Sequence, residues 1–292
     1  MATLNLAGFA EKSLDHFVLL VRDLDLAASS YERLGFHVRP LAEHKDLGTR
    51  NRVLHFGHTY LELFDATSGL EDVVKPYLDR FQSGEGVVHV SLTSEHLEDD
   101  WQRMSAAGVD VHPILSARRE ITLPDGTRGE TASRCFYQWR SDSRYLSLFF
   151  SDHPKPKMIF IPEYVCHPNG AREVSRCVYM STTLNADRDY FSKCFMKNPD
   201  EETSERLAWR GARGDLTEVL TVNAAQQRYG DLLSVTDPAP FAGLGIALHY
   251  VVDNLDDCRG LLQTTDASHC ELYDGTIGVA ASKATGCVVC FE

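Results

Sequence analysis

His16, Glu62 and His89 carry the donor types of a divalent-metal centre, and each stands in a stretch apolar enough to bury it. His16 is third in Leu14-Asp15-His16-Phe17-Val18-Leu19, and His89 is third in Val87-Val88-His89-Val90-Ser91-Leu92. Glu62 sits between Leu61 and Leu63. A carboxylate on an apolar strand needs a partner, because burying a lone charge is costly. Two imidazoles and one carboxylate would hold a cation and leave coordination positions open. Such a set suits Fe(II), with Mn(II) or Zn(II) as competitors. A structural site would normally close its shell with four protein ligands, so open positions predict chemistry.

An internal repeat explains how residues this far apart could meet. Eight residues beyond each histidine a leucine, Leu24 or Leu97, opens a helical pattern, and nineteen residues beyond each comes a glycine, Gly35 or Gly108. Those glycines stand where a helix end needs a left-handed residue. New strands follow, and the copies close with Tyr60-Leu61-Glu62-Leu63-Phe64 and Tyr145-Leu146-Ser147-Leu148-Phe149. Each unit reads strand, helix, three strands, and the two units span residues 14–66 and 86–151. Side chains alternate along a strand, so one face of each can point into a shared concavity. If a pseudo-twofold axis relates the units, His16, His89, Glu62 and Ser147 converge near it. Serine is a poor ligand for the fourth place.

A Pro-rich stretch from His153 to Ala171 looks like a linker, which gives domains at 1–152 and 172–292. The second half repeats the pattern faintly, with a strand at 176–180, a helix at 187–195 and a fourth copy from Gly245. Aligning Leu255 with Leu24 puts Ala247 where His16 sits, so this half keeps the architecture without the ligands. It is expected to complete the fold or to make a homodimer face. Eight scattered cysteines, of which only Cys287 and Cys290 have C-x-x-C spacing, read as free buried thiols. The N-terminus lacks the basic and apolar pattern of a signal peptide, which predicts a cytoplasmic protein. A net charge of −13 argues against nucleic acid and membrane partners, and leaves a small molecule. An anionic one would need local arginines.

The chain resembles the vicinal oxygen chelate superfamily, and within it the glyoxalase-like-domain proteins. Leu14-Asp15-His16, Val21-Arg22-Asp23-Leu24, Tyr31-Glu32-Arg33-Leu34-Gly35-Phe36, His44 with Gly48-Thr49-Arg50-Asn51, Tyr60-Leu61-Glu62-Leu63 and His167-Pro168-Asn169-Gly170-Ala171 carry the resemblance. It implies an α+β fold of four βαβββ modules paired into two glyoxalase/bleomycin-resistance/extradiol-dioxygenase-like domains. It also implies metal ligands at His16, Glu62 and His89, with Ser147 where glyoxalases place a glutamate. Fe(II)-dependent oxygenation of a catechol or α-hydroxycarbonyl is then the favoured expectation. A metal-assisted isomerase or lyase and a non-catalytic small-molecule-binding protein are the alternatives. His44, Tyr60 and Asn51 are the expected catalytic helpers, with His55, Tyr137 and Gln138 as further proton donors or acceptors. Arg50 and Arg140 could hold an oxygen, whereas Arg118, Arg119 and Glu130 read as solvated charges.

Overall fold

The computed structural model describes residues 12–67, 69–80, 84–138, 147–233 and 244–292. The first unit contains β1 (Leu14–Leu20), α1 (Leu24–Arg33), β2 (Ala42–Glu43), β3 (Arg50–His55) and β4 (Tyr60–Asp65). After α2 (Glu71–Arg80) the pattern recurs as β5 (Gly86–Thr93), α3 (Leu97–Ala106), β6 (Leu115–Thr122), β7 (Arg128–Tyr137) and β8 (Ser147–Asp152). A third copy runs β9 (Ala171–Ser181), α4 (Leu184–Phe195), β10 (Glu201–Glu202), β11 (Arg206–Arg210) and β12 (Leu216–Thr221), followed by α5 (Val222–Tyr229). The fourth is β13 (Leu244–Val252), α6 (Leu255–Thr264), β14 (Cys270–Glu271), β15 (Ile277–Val279) and β16 (Val288–Phe291). All four crossover helices begin on the repeated leucine. Polar side chains start two of them: Asp23 accepts from the amides of Asp25 and Leu26, and Asn254 from those of Asp256 and Asp257. Gly35 and Gly108 follow the helix ends with φ of 81° and 74°.

Strand pairing gives β2-β3-β4-β1-β5-β8-β7-β6 in the first half and β10-β11-β12-β9-β13-β16-β15-β14 in the second, and the two are joined where Gly245 pairs Val87. The first sheet curls until its edges meet, with His44 bridging Arg119 and the Lys45 amide donating to the Arg118 carbonyl at 2.9 Å. Its outer face joins a hydrophobic core that includes residues of both halves, among them Phe36, Phe56, Tyr250 and Phe291. The inner face is partly polar, and it holds the site. In the second half the corresponding face is filled by Val178, Met180, Ala247, Val288 and the α5 residues Ala225 and Tyr229.

Three features depart from the sequence reading. α2 lies where no element was expected; Pro76 spoils its helical signal, yet Val74 and Tyr77 bury against the inner face. Residues 153–171 are not a loose tether: His167 accepts from the His37 amide at 2.9 Å and bonds the His55 carbonyl at 2.8 Å, and Asn169 bonds the carbonyl of Leu34. Register also corrects the alignment of Glu62 with Ser147. Glu62 pairs with Val18, two residues past His16, whereas Ser147 pairs with His89 itself. The residue two past His89 is Ser91, which pairs with Phe149, so an aromatic ring stands where the second unit would have matched Glu62. A slip of two residues keeps the face and is invisible to alternation.

Candidate active site

Pairing of β1, β3 and β4 puts His16 beside Tyr60, Glu62 beside Val53 and His55 beside Tyr60 on one face. Glu62 is buried, and Asn51 Nδ2 donates to its Oε1. Arg119 Nη1 donates to Asn51 Oδ1 at 3.0 Å, which turns the amide nitrogen towards the carboxylate. His44 Nε2 lies 3.7 Å from Glu62 Oε1, and its Nδ1 is 2.9 Å from Thr49 Oγ1. Burial lowers the pKa of His44 against the pull of Glu62, so the ring is neutral and can exchange a proton. Tyr60 stacks on His16 with centroids 4.3 Å apart, and burial pushes its phenol well above the usual range. The expected helpers His44, Asn51 and Tyr60 therefore all line one cavity system with Glu62.

The three expected metal ligands share the inner face but are not gathered at one point. His89 is fully buried among aromatic rings; its Nδ1 lies 2.7 Å from the Tyr77 hydroxyl, and Tyr137 and Phe149 pack on it at 5.2 and 5.6 Å. Phe149 also meets the His16 ring edge-on at 5.0 Å, so an apolar ring touches both imidazoles. Among the described residues, the ligand-type atoms that do converge within 4.8 Å of one another belong to Asp15, His16 and His153. His16 Nδ1 and His153 Nε2 each lie 2.8 Å from Asp15 Oδ2, and His153 Nδ1 is 3.0 Å from Ser133 Oγ. Burial disfavours an ionised Asp15, but His153, with help from His16, outweighs it and holds the carboxyl well below the usual range. Burial likewise opposes a charged His153, and Asp15 overcomes it and raises that pKa.

Alternation hides Asp15, because on a regular strand it would point away from His16. The pairing of β1 with β5 shifts between Leu14 and His16, which makes Asp15 the extra residue of a bulge. A bulge can turn a side chain onto its neighbour's face, and here the carboxylate reaches the histidine ring. His153, the first residue of the Pro-rich stretch, directly follows the end of β8. Its signal was a histidine one step beyond an apolar strand.

Other candidates sort by what they touch. Arg119 is buried rather than solvated; the inward row Leu115, Ala117, Arg119, Ile121 on β6 was a readable clue. Arg118 and Glu130 pair with Asp46 and Lys45 outside the cavity. Tyr137 lines the inner chamber, but Gln138 turns to Cys194 Sγ at 3.0 Å, and Arg50 pairs with Asp65. Arg140 lies outside the described residues. All eight cysteines are free thiols.

The model of a protein family described as a glyoxalase-like domain matches residues 14–189. A structure of a hypothetical protein from Staphylococcus aureus is similar at 12% identity and a TM-score of 0.65, over 96% of this chain and 99% of that one. A mutant of 4-hydroxymandelate synthase from Streptomyces coelicolor is similar at 13% identity and a TM-score of 0.61, over 97% of this chain and 92% of that one. A xylose isomerase-like TIM barrel/4-hydroxyphenylpyruvate dioxygenase fusion protein gives 11% identity and a TM-score of 0.58, over 97% of this chain and 48% of that one. At such identities the likeness speaks to the fold alone. A comparison with curated proteins found no match. Among the described residues, no helix is long and apolar enough to cross a membrane.

Proposed function

Since the chain belongs to the glyoxalase-like domain family of the vicinal oxygen chelate superfamily, we propose that it is a metal-dependent enzyme acting on a small molecule with two adjacent oxygens. The observation that carries this reading is the convergence of one carboxylate and two imidazoles, Asp15, His16 and His153, at the wall of a buried chamber lined by His16, Glu62 and Tyr60. Two nitrogens and one carboxylate oxygen fit a divalent ion with open positions, and Fe(II) is the favoured one. The set of His16, Glu62 and His89 is the competing one: Tyr77 engages Nδ1 of His89 and Asn51 binds one oxygen of Glu62, and what favours Asp15, His16 and His153 is that their ligand atoms converge within 4.8 Å. When bound, the ion would polarise the paired substrate oxygens, and iron would in addition allow reaction with dioxygen.

The remaining work falls to the chain's own groups. Asn51 fixes the Glu62 carboxylate, which is placed to take a proton from substrate. Neutral His44 next to it can pass that proton on. Tyr60 and Phe149 wall the chamber and exclude water. The dioxygenase reading is favoured over an isomerase or lyase because the converging set has a single carboxylate. The ligand-poor second half, where Ala247 replaces the histidine, keeps a binding-protein alternative open.

Metal analysis of protein purified without added metal tests the assignment. We expect about one iron per chain, with loss of at least tenfold in metal affinity for Asp15→Asn and His153→Ala and little loss for His89→Ala. The opposite pattern restores His89 as ligand and removes His153. Oxygen uptake on a catechol panel then decides the reaction: a zinc-loaded protein without uptake would end the dioxygenase reading.

A further inference from the structure

A larger cavity, about 250 Å³, lies at the surface beside the Glu62 chamber. Its walls include Arg39, Arg119, Arg128, His55, Met158 and Tyr164. His55 and Arg119 also line the small cavity that holds His44, Asn51 and Glu62, so the outer cavity adjoins the inner one through these two side chains. Three guanidinium groups therefore face the entrance of a chain whose net charge is −13. Among the described residues, Glu120 is the one carboxylate lining that cavity; it lies 3.9 Å from Arg128 and also pairs with Lys45. Arg39 has no carboxylate partner among the described residues and is held by stacking 3.6 Å from the centre of the Tyr164 ring. Arg119 is 8% exposed and spends one donor on Asn51. The Glu62 carboxylate, reached through Asn51, already offsets part of the buried Arg119 charge, whereas Arg39 has no carboxylate beside it among the described residues, so an anionic ligand would complete the pairing of Arg39. The walls between these cations, Leu41, Ile121 and Met158, are apolar.

Resting on the enzyme reading above, we propose that the substrate is a small anion, a carboxylate or phosphate ester, whose charged end is held in the outer cavity by Arg119 and Arg39 while its pair of adjacent oxygens extends towards Glu62 and His16. Arg119 then has two tasks. It selects the substrate by charge, and through Asn51 it orients the Glu62 carboxylate. Guanidinium groups suit both anions because their forked donors match two oxygens at once. Arg39 acts only on the ligand, which separates selection from positioning. In a chain of net charge −13, these local cations favour the approach of an anion to this cavity.

Calorimetric titration of the full chain with benzoate, phenyl phosphate and the neutral benzamide tests this, before and after metal is stripped with a chelator. One of the two anions should bind at least tenfold more tightly than benzamide, in stripped protein too, and increasingly weakly as salt rises. The preferred anion identifies carboxylate or phosphate as the native charge. Arg39→Met, which keeps an apolar stem on Tyr164, should weaken the anion about tenfold and leave metal content and benzamide unchanged. Arg119→Lys should weaken it less than Arg119→Met. Equal binding of benzamide and anions, an Arg39→Met variant with unaltered affinity, or no binding by any probe overturns the proposal. A protein that lacks metal yet binds anions through Arg39 would sink the metal reading alone, and a metal-loaded protein indifferent to Arg39 would sink this one alone.

Discussion

Single side chains in this protein do their work through the neighbour that fixes them. Asn51 is useful because Arg119 dictates which end of its amide meets Glu62. His167 shows the same logic in a structural role. Its Nδ1 accepts from the His37 amide and its Nε2 bonds the His55 carbonyl, an arrangement that only the neutral ring satisfies. Burial, aided by His37 and Arg172, lowers its pKa to about 4 from 6.5. The unfolded chain therefore binds more protons between those values, and stability is complete above about 6.5 and falls as pH drops towards 4. His55, lowered to about 3 by burial and by Arg119, adds in the same direction. Urea unfolding at ~pH 7.5 and ~pH 5 should show a loss of about 2 kcal/mol from His167. His167→Gln should be weaker at the higher pH and flatter between the two. A variant with the native pH slope would show that His167 does not titrate in this way.

At the scale of elements, the repeat sets the same local device in different surroundings. Gly35 and Gly108 both end a crossover helix with positive φ. A Cβ on Gly35 would meet Leu261 at 2.6 Å and Asn169 at 3.0 Å, whereas one on Gly108 would meet nothing within 4 Å. Alanine at Gly108 should cost about 1 kcal/mol, from backbone strain alone. Alanine at Gly35 should cost about 2–4 kcal/mol, because the overpacked contact adds to that strain. Equal losses in thermal denaturation would mean that the segment around Asn169 yields freely. The strands show a comparable divergence: a bulge in β1 recruits Asp15, and a two-residue offset in β8 brings in Phe149. Both preserve the β pattern and change the chemistry.

Taken as a whole, the molecule is one continuous sheet in two halves that share a hydrophobic core. Phe36 packs on Tyr250 at 5.0 Å and on Phe291 at 5.7 Å, and Phe56 meets Tyr250 at 5.2 Å. The Leu14 amide donates to Asp215 at 2.8 Å across the same boundary. We propose that residues 172–292 buttress the first sheet rather than form a separately stable unit. Scanning calorimetry should then give one transition, and Phe291→Ala should lower it by about 3–5 kcal/mol without splitting it. Two resolved transitions, with only the second shifted, would separate the halves.

Composition and periodicity by themselves determined the architecture, because an apolar strand and a leucine recur in all four modules and a glycine at the same spacing in the first two, and each has a local physical consequence. Alternation on a strand, a local rule, also put Tyr60 and Glu62 on one face, whereas Asn51 and His44 were named through the family resemblance. What converges on that face was decided by tertiary structure. The bulge that turns Asp15 towards His16, the packing that brings His153 from the end of β8, and the helix that sets Tyr77 against His89 depend on pairing between distant strands. Spacing along one chain cannot encode them, because register and packing are properties of the partners as much as of the residue.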